Sequence, residues 1–141
     1  MNAKHQGGWA FSVGENLDTF WRMTAHFRSG AYLEAQRDLH ENLVVDEPPG
    51  LPQGGAWHGR DASERIKRLV TNLWDREAGP LGVWDCGDVV MAYREITWTS
   101  KQTGKSVVSP QLEMYEFQEG QIIRTTVYIK DVVGVLDTLE P

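Results

Sequence analysis

The second half of the chain is a run of strand-like segments joined by short turns. Segments rich in β-branched and aromatic residues lie at about 82–86, 88–100, 106–118 and 121–130. Gly104-Lys105 and Glu119-Gly120 mark hairpin turns, because glycine adopts the positive φ angles that such turns require. Strands joined by hairpins pair antiparallel with their neighbours. The pattern therefore predicts an antiparallel meander.

The first half has helical periodicity. Apolar side chains recur at helical spacing from Glu15 to Phe27, and Ser29-Gly30 supplies a C-cap. Three further helices are predicted, over 32–39, 61–74 and 131–139. Helices on one face of a curved antiparallel sheet form an α+β domain, here a cone with room for a small-molecule pocket. We expect one domain over residues 14–141, after a loose arm of residues 1–13.

Composition argues against several classes of function. The net charge of -6 disfavours nucleic acid binding, which depends on Lys and Arg neutralising phosphates. Cys86 is the single cysteine, so an internal disulfide is excluded, and the sequence has no Cys/His cluster with zinc-site spacing. Neither a membrane-spanning apolar run nor a signal peptide is recognisable. We expect a cytoplasmic protein without metal or other cofactor.

A short apolar strand ends in two acids, Asp46 and Glu47, and is stopped at once by Pro48-Pro49. Proline cannot donate to a sheet ladder and biases the preceding residue toward extended geometry. Glu47 is therefore expected at the mouth of a strand, where loops held by a rigid scaffold often carry chemistry. The alternative is that both acids are merely solvated at a strand end.

In this order and spacing, the segments resemble the nuclear-transport-factor-2-like superfamily, specifically its SnoaL-like and ketosteroid-isomerase-like branch. The similarity extends from about Glu15 to Leu139. It is carried by Ser29-Gly30, Asp46-Glu47-Pro48, Gly59-Arg60-Asp61-Ala62 and the stretches 117–124 and 128–131. The resemblance implies a cone-shaped fold whose members include isomerases, dehydratases, cyclases, epoxide hydrolases and plain binding domains.

The resemblance also implies roles for individual residues. In ketosteroid isomerases an acid before a proline at the end of the first strand is the general base, and Glu47 matches it. A second acid, after a Val-Val-x-Pro segment, stays protonated and donates to the developing oxyanion. The segment is Val107-Val108-Ser109-Pro110 here, and Glu113 falls near that acid. The family's tyrosine donor on the first helix is matched by Met23. Tyr93 and Glu95 are similar to the Arg-x-Asp pair of limonene-epoxide-hydrolase-like members.

Strand parity predicts which side chains face the pocket, because successive side chains alternate between the two faces of a sheet. The residues predicted to line it, besides the acids, are Met23, Trp57, Met91, Tyr115, Phe117, Val127 and Ile129. The acids Glu95 and Glu113 are both assigned to this face. Two carboxylates in an apolar cavity cannot both ionise cheaply, so one is expected to have a raised pKa.

Three of the candidate site residues have a second, non-catalytic interpretation. His58, in the Gly-rich loop, could protonate a substrate or simply be exposed. Asp131 could line the pocket or cap the closing helix, whose N-terminus favours an acid. If Glu113 is not catalytic, it is expected to form a salt bridge to Arg94 or Arg124.

The opposite face of the sheet is predicted to expose an apolar stripe. Its members are Ile96, Trp98, Leu112 and Met114. Exposed apolar patches of this kind usually mark interfaces. We therefore expect a homodimer that packs sheet to sheet.

Together these features predict a cofactor-independent acid/base enzyme, of isomerase, cyclase or dehydratase type. Its substrate would be an apolar, polyketide-like or terpenoid-like small molecule. Glu47 would take or relay a proton, and Glu113 or the Tyr93–Glu95 pair would stabilise developing charge. Two alternatives remain: an epoxide hydrolase of the same fold that activates a water, and a non-catalytic ligand-binding or accessory domain.

Overall fold

The computed structural model describes residues 14–141, so the predicted N-terminal arm, residues 1–13, lies outside the described residues. The helices are α1 (Glu15–Arg28), α2 (Tyr32–Gln36), α3 (Ala62–Leu73) and α4 (Val132–Asp137). The strands are β1 (Leu39–Glu47), β2 (Gly55–His58), β3 (Trp74–Ala78), β4 (Gly82–Asp85), β5 (Val89–Ser100), β6 (Ser106–Gln118) and β7 (Gln121–Ile129). None of the helices within 14–141 is long and apolar enough to cross a membrane.

The seven strands form one sheet in the order β2-β1-β7-β6-β5-β3, and β4 pairs with β5 beside β3. The predicted hairpins are present: β5 pairs antiparallel with β6, and β6 with β7. Both turn residues between β6 and β7 have positive φ, 51° at Glu119 and 78° at Gly120. The sheet is nevertheless mixed, because β1 runs parallel to β7. No hairpin links these two strands, so nothing in the connection forces them antiparallel.

Two short strands differ from the sequence prediction. The segment of β2 was expected to be loop, and Trp74, the first residue of β3, was assigned to the end of the third helix. Strand β3 reads Trp-Asp-Arg-Glu-Ala, a composition with little local strand preference. It becomes a strand by pairing antiparallel with β5, from Trp74↔Ser100 to Ala78↔Ile96.

The core lies on the concave face of the sheet, under α1 and α3. Trp74 and Trp98 meet edge to face at its centre, with ring centroids 5.1 Å apart, and both are 1% exposed. Trp74 Nε1 donates a 2.8 Å hydrogen bond to the hydroxyl of Thr138 beside α4. Ile96 is likewise buried, at 4% exposure. The predicted outward stripe is therefore wrong for Ile96 and Trp98, which belong to the core.

The error on β5 has a simple geometric cause. In an antiparallel pair, residues directly opposite each other project to the same face. Glu113 is opposite Ala92, and Leu112 is opposite Tyr93. Once Glu113 faces the concave side, Ala92, Arg94 and every second residue after them must do so too. Met91, Tyr93 and Glu95 then lie on the outer, convex face.

Candidate active site

A cavity of about 360 Å³ opens on the concave side of the sheet, beside α1 and α3. Its apolar wall includes Phe20, Met23, Phe27, Leu43, Val45, Leu81, Trp98, Val127 and Ile129. Its ionisable groups are Arg28, Glu47, Lys67, Arg76, Arg94, Glu113 and Tyr115. The cavity is thus an apolar bowl with a small set of charges, the usual composition of a small-molecule site.

Glu47 is the last residue of β1 and is followed by the buried Pro48, as the sequence predicts. Val45, two positions earlier, lines the same cavity, so the pleat of β1 turns Glu47 inward. Burial, and after it the charge of the nearby Glu113, raise the pKa of Glu47 to about 7. Arg76 and the Gln53 amide act in the opposite direction. Near neutral pH this carboxyl can both accept and release a proton.

Glu113 is held by three donors from its own and the adjacent strand. Its Oε2 accepts a 2.6 Å hydrogen bond from the hydroxyl of Tyr115. Its Oε1 accepts from Nη2 of Arg94 at 3.1 Å and from Nε2 of Gln111 at 3.3 Å. Three donors and an ion pair are typical of an ionised carboxylate. Glu113 therefore forms the expected salt bridge to Arg94, and this geometry argues against its role as a protonated donor.

Tyr115 completes this corner of the cavity. Its ring meets Phe20 of α1 edge to face, with centroids 5.0 Å apart. Burial, together with the charge of Glu113 and the hydrogen bond to it, raises the pKa of Tyr115 well above its ordinary value. Tyr115 therefore keeps a neutral hydroxyl, and this hydroxyl donates its hydrogen bond to Glu113.

Two arginines, which the sequence analysis did not place in the site, lie on the same wall. Arg76 of β3 sits over the Trp98 ring, with Cζ 5.2 Å from its centroid. Arg76 is exposed to solvent as a residue, but the protein atoms around its guanidinium lower its pKa, Glu47 raises that pKa, and Arg94 lowers it. Arg76 was not predicted because residues 75–78 were assigned to no strand, and Arg94 because the predicted faces of β5 were exchanged.

The β1–β2 loop contributes one more polar group beside Glu47. Gln53 is fully buried, yet its Nε2 and Oε1 make no well-formed hydrogen bond within residues 14–141. Its backbone carbonyl accepts a 2.8 Å bond from Nε1 of Trp57. The loop is tight, since a Cβ on Gly54 would come within 2.6 Å of the Pro48 carbonyl oxygen. An unpartnered buried amide next to a titrating acid is typical of a functional site, and the local sequence carries no signal for it.

Of the other predicted site residues, Met91, Tyr93 and Glu95 lie on the convex face, for the register reason given above. Trp57 and Phe117 pack against the core but do not line the cavity. Trp57 instead hydrogen-bonds the β1–β2 loop, and Phe117 follows a register shift in the β6–β7 pairing, beyond which it pairs with Ile122.

Two polar candidates also lie away from the cavity. His58 is exposed at the end of β2, and its carbonyl oxygen accepts a hydrogen bond from Arg65. Asp131 Oδ1 accepts a 2.8 Å bond from the Gly134 amide and so caps α4. Of the two interpretations of Asp131, the geometry favours helix capping over lining the pocket.

The assembled groups suit proton transfer with charge stabilisation. Glu47 is a base near neutral pH, Arg76 is a positive charge close to it, and Arg94 is a second positive charge in the lining of the same cavity. Within the described range 14–141, no group of three His, Cys, Asp or Glu side chains is arranged to hold a metal ion.

Several solved structures are similar to this chain. A nuclear-transport-factor-2-like protein of Burkholderia xenovorans aligns with a TM-score of 0.82 and 15% identity, over 93% of this chain and 100% of its own. TerC, co-crystallised with polyporic acid, has a TM-score of 0.75 and 18% identity, over 90% of this chain and 99% of its own. A Xanthomonas campestris protein named as a candidate polyketide cyclase has a TM-score of 0.69 and 19% identity, over 89% of this chain and 98% of its own. No protein-family model and no curated protein sequence matches the chain.

Proposed function

The chain has the nuclear-transport-factor-2-like fold, as its sequence predicts, and from the charges in its cavity we propose that it is a cofactor-independent acid/base enzyme. The reaction would be an isomerisation, cyclisation or dehydration of an apolar small molecule. One observation carries the proposal: Glu47 is buried in an apolar cavity, with a pKa of about 7, with Arg76 close to it and Arg94 in the lining of the same cavity. Such a tuned carboxyl is suited to general acid/base work and is seldom needed by a passive pocket.

The proposed chemistry begins with Glu47 as the general base. Its carboxylate removes a proton from a carbon next to a carbonyl; the C–H electron pair forms the new C=C bond, and the π pair of the carbonyl moves onto its oxygen. Arg76 and Arg94 stabilise the enolate oxygen that results. The protonated Glu47 then returns the proton to another carbon or to a departing hydroxyl. Glu113 acts through Arg94, which it holds in place by the 3.1 Å hydrogen bond.

The steroid isomerase reaction itself is not part of the proposal. Met23 lies in the cavity wall at the position that matches the tyrosine donor of ketosteroid isomerases, and it has no O–H to donate. Tyr115 does not replace that donor, because its hydroxyl hydrogen-bonds Glu113. In this protein the arginines would take over the stabilisation of the oxyanion.

The structural neighbours support an aromatic or polyketide-like substrate class. TerC was crystallised with polyporic acid, and the Xanthomonas campestris protein is named for polyketide cyclisation. The cavity volume of about 360 Å³ is adequate for a fused two- or three-ring compound, since small-molecule sites usually span about 300–1,000 Å³.

Proton abstraction can be tested before the substrate is known. β-Tetralone is an apolar bicyclic ketone whose α-protons exchange with deuterated solvent, and NMR follows the exchange. We expect the protein to accelerate this exchange over buffer, and Glu47→Gln to reduce the acceleration by about 10²-fold or more. The matched control is Glu95→Gln, the same change on the convex face, which should leave the rate unchanged. Absence of acceleration, or equal rates for wild type and Glu47→Gln, would favour a non-catalytic binding domain.

A further inference from the structure

The cavity has more positive charge than its acids neutralise. Glu113 is paired with Arg94. Glu47, the remaining acid of the lining, is about half protonated near neutral pH. Arg76 makes no hydrogen bond or ion pair with any residue in 14–141, and Arg28 and Lys67 add two further positive charges at the α1 and α3 side. A protein of net charge -6 thus has a cavity with an excess of positive charge.

The two arginines are also incompletely satisfied. Arg94 donates only from Nη2 to Glu113, and its buried Nε has no hydrogen-bond partner in the described chain. Arg76 sits over the face of the Trp98 ring, and the N–H groups in the plane of its exposed guanidinium are open to solvent or to a ligand. The pair repels itself, since Arg94 lowers the pKa of Arg76. An anion between them would relieve this repulsion and supply the missing acceptors.

We infer that Arg76 and Arg94 form a subsite for an anionic oxygen of the ligand, so that the cavity also binds apolar organic acids, whose carboxylate or acidic enol takes the place of the enolate oxygen in the proposed reaction. The apolar wall of the cavity, with Phe20, Val127 and Ile129, would receive the hydrocarbon part. Arginine suits this task, because its planar fork binds carboxylate oxygens bidentately. The inference rests on the proposed function only in naming that site's substrate; the subsite can exist whether or not Glu47 is catalytic.

Binding of an anion to this subsite should favour protonation of Glu47. The charged groups facing Glu47 are Arg76 from β3, Arg94 from β5 and Glu113 from β6, with Arg28 and Lys67 on the helical side. A bound anion adds a negative charge close to Glu47 and so raises its pKa above 7. The anion therefore binds most tightly at a pH at which Glu47 is protonated, and its affinity falls as the pH rises through 7.

The test compares two probes of the same shape, β-naphthoate and its neutral amide β-naphthamide, by isothermal titration. At about pH 6 we expect the acid to bind at least about tenfold more tightly than the amide. Arg76→Met should remove most of this preference and leave the affinity for the amide within about twofold. The control is Arg68→Met on α3, which changes the net charge equally but lies outside the cavity; it should keep the preference.

The pH dependence separates this subsite from catalysis. Wild-type affinity for β-naphthoate should fall between about pH 6 and pH 8, whereas Glu47→Gln should keep its preference for the acid and lose that dependence. Equal affinity for the two probes, no binding of β-naphthoate at millimolar concentration, or equal losses in Arg76→Met and Arg68→Met would overturn the subsite. Failure of β-tetralone exchange with the acid preference intact would remove only the proposed enzyme activity.

Discussion

Arg94 on β5 reaches diagonally across the sheet to Glu113 on β6, and its Nη2 donates a 3.1 Å hydrogen bond to Oε1 of that carboxylate. This ion pair keeps a negative charge on the cavity wall. The charge raises the pKa of Glu47, which burial has already raised. The two carboxyl groups thus divide their roles: Glu113 forms the ion pair with Arg94, and Glu47 takes up and releases its proton near neutral pH.

The first prediction concerns the titration of Glu47 and its effect on stability. In the unfolded chain a glutamate loses its proton near pH 4.3, whereas in the folded protein Glu47 keeps it to about pH 7. Between these values the folded state binds more protons, so the contribution of Glu47 to stability is present at low pH and is lost as the pH rises through 7. Glu47→Gln removes this loss and should stabilise the protein at about pH 8 by at most about 3 kcal/mol, with little effect near pH 4.

Urea unfolding of both proteins at the two pH values measures this difference, and carboxyl NMR gives the Glu47 midpoint directly. Glu95→Gln, on the convex face, serves as control and should show no such pH-dependent gain. A Glu47 midpoint near 4.3, or a Glu47→Gln effect that is the same at both pH values, would contradict the prediction.

The second prediction tests the coupling of the two acids. Glu113→Gln removes a negative charge that raises the pKa of Glu47, so this pKa should fall. Because the base must be deprotonated to act, the acid limb of the pH–rate profile for β-tetralone exchange should shift to lower pH. Glu116→Gln is the matched control: it is on the same strand but belongs to the convex face, with Oε2 4.0 Å from Nε of Arg124. An unshifted acid limb in Glu113→Gln would show that the two carboxyl groups are not coupled.

The position of Glu47 could be predicted from sequence because its causes are local. An apolar run makes the strand, and Pro48 ends it at once, so the acid must lie at the strand mouth. The fold could be predicted for a similar reason, since its hairpin turns and helical periodicity are each visible within a short window. Whether Glu47 is needed for turnover is not tested by this geometry and remains a prediction.

The arginines could not be predicted in the same way, because their positions depend on long-range pairing. Arg76 is on a strand that exists only through its ladder with β5, where its own partner, Trp98, lies 22 positions later. Because side chains alternate along β5, Arg94 and Glu95 must lie on opposite faces of the sheet. Only the cross-strand register determines which of the two faces inward. That register is set by the turn between β5 and β6, and a slip of one residue exchanges the two faces.

The third prediction revises the expected dimer interface. Cross-strand pairing places Tyr93, Leu112 and Tyr128 in one row on the convex face of β5, β6 and β7. Tyr93 and Tyr128 are 39% and 52% exposed, so this row is an apolar surface on the isolated chain. We propose that two copies pack through it. Sedimentation should give a dimer at micromolar concentration and a monomer for Tyr128→Glu.

The control for the interface is Asn72→Glu on α3, an exposed position away from the convex face; it should leave the sedimentation coefficient unchanged. A wild-type protein that sediments as a monomer at this concentration would rule out the convex face as a stable interface.

The last prediction concerns Gln53, whose buried amide has no well-formed hydrogen bond within residues 14–141. The contact of this amide with Glu47 is too loose to offset the cost of burying the amide, on the order of 1–3 kcal/mol, so Gln53→Met, which fills the same space without the amide, should stabilise the fold by about 1 kcal/mol. The Gln53 amide also lowers the pKa of Glu47, so the same variant should raise that pKa and move the acid limb of the exchange profile to higher pH. A gain in stability together with this shift would identify Gln53 as a positioning residue retained for function. Destabilisation would instead show that the amide is satisfied in solution, and an unshifted pH profile would show that it does not act on Glu47.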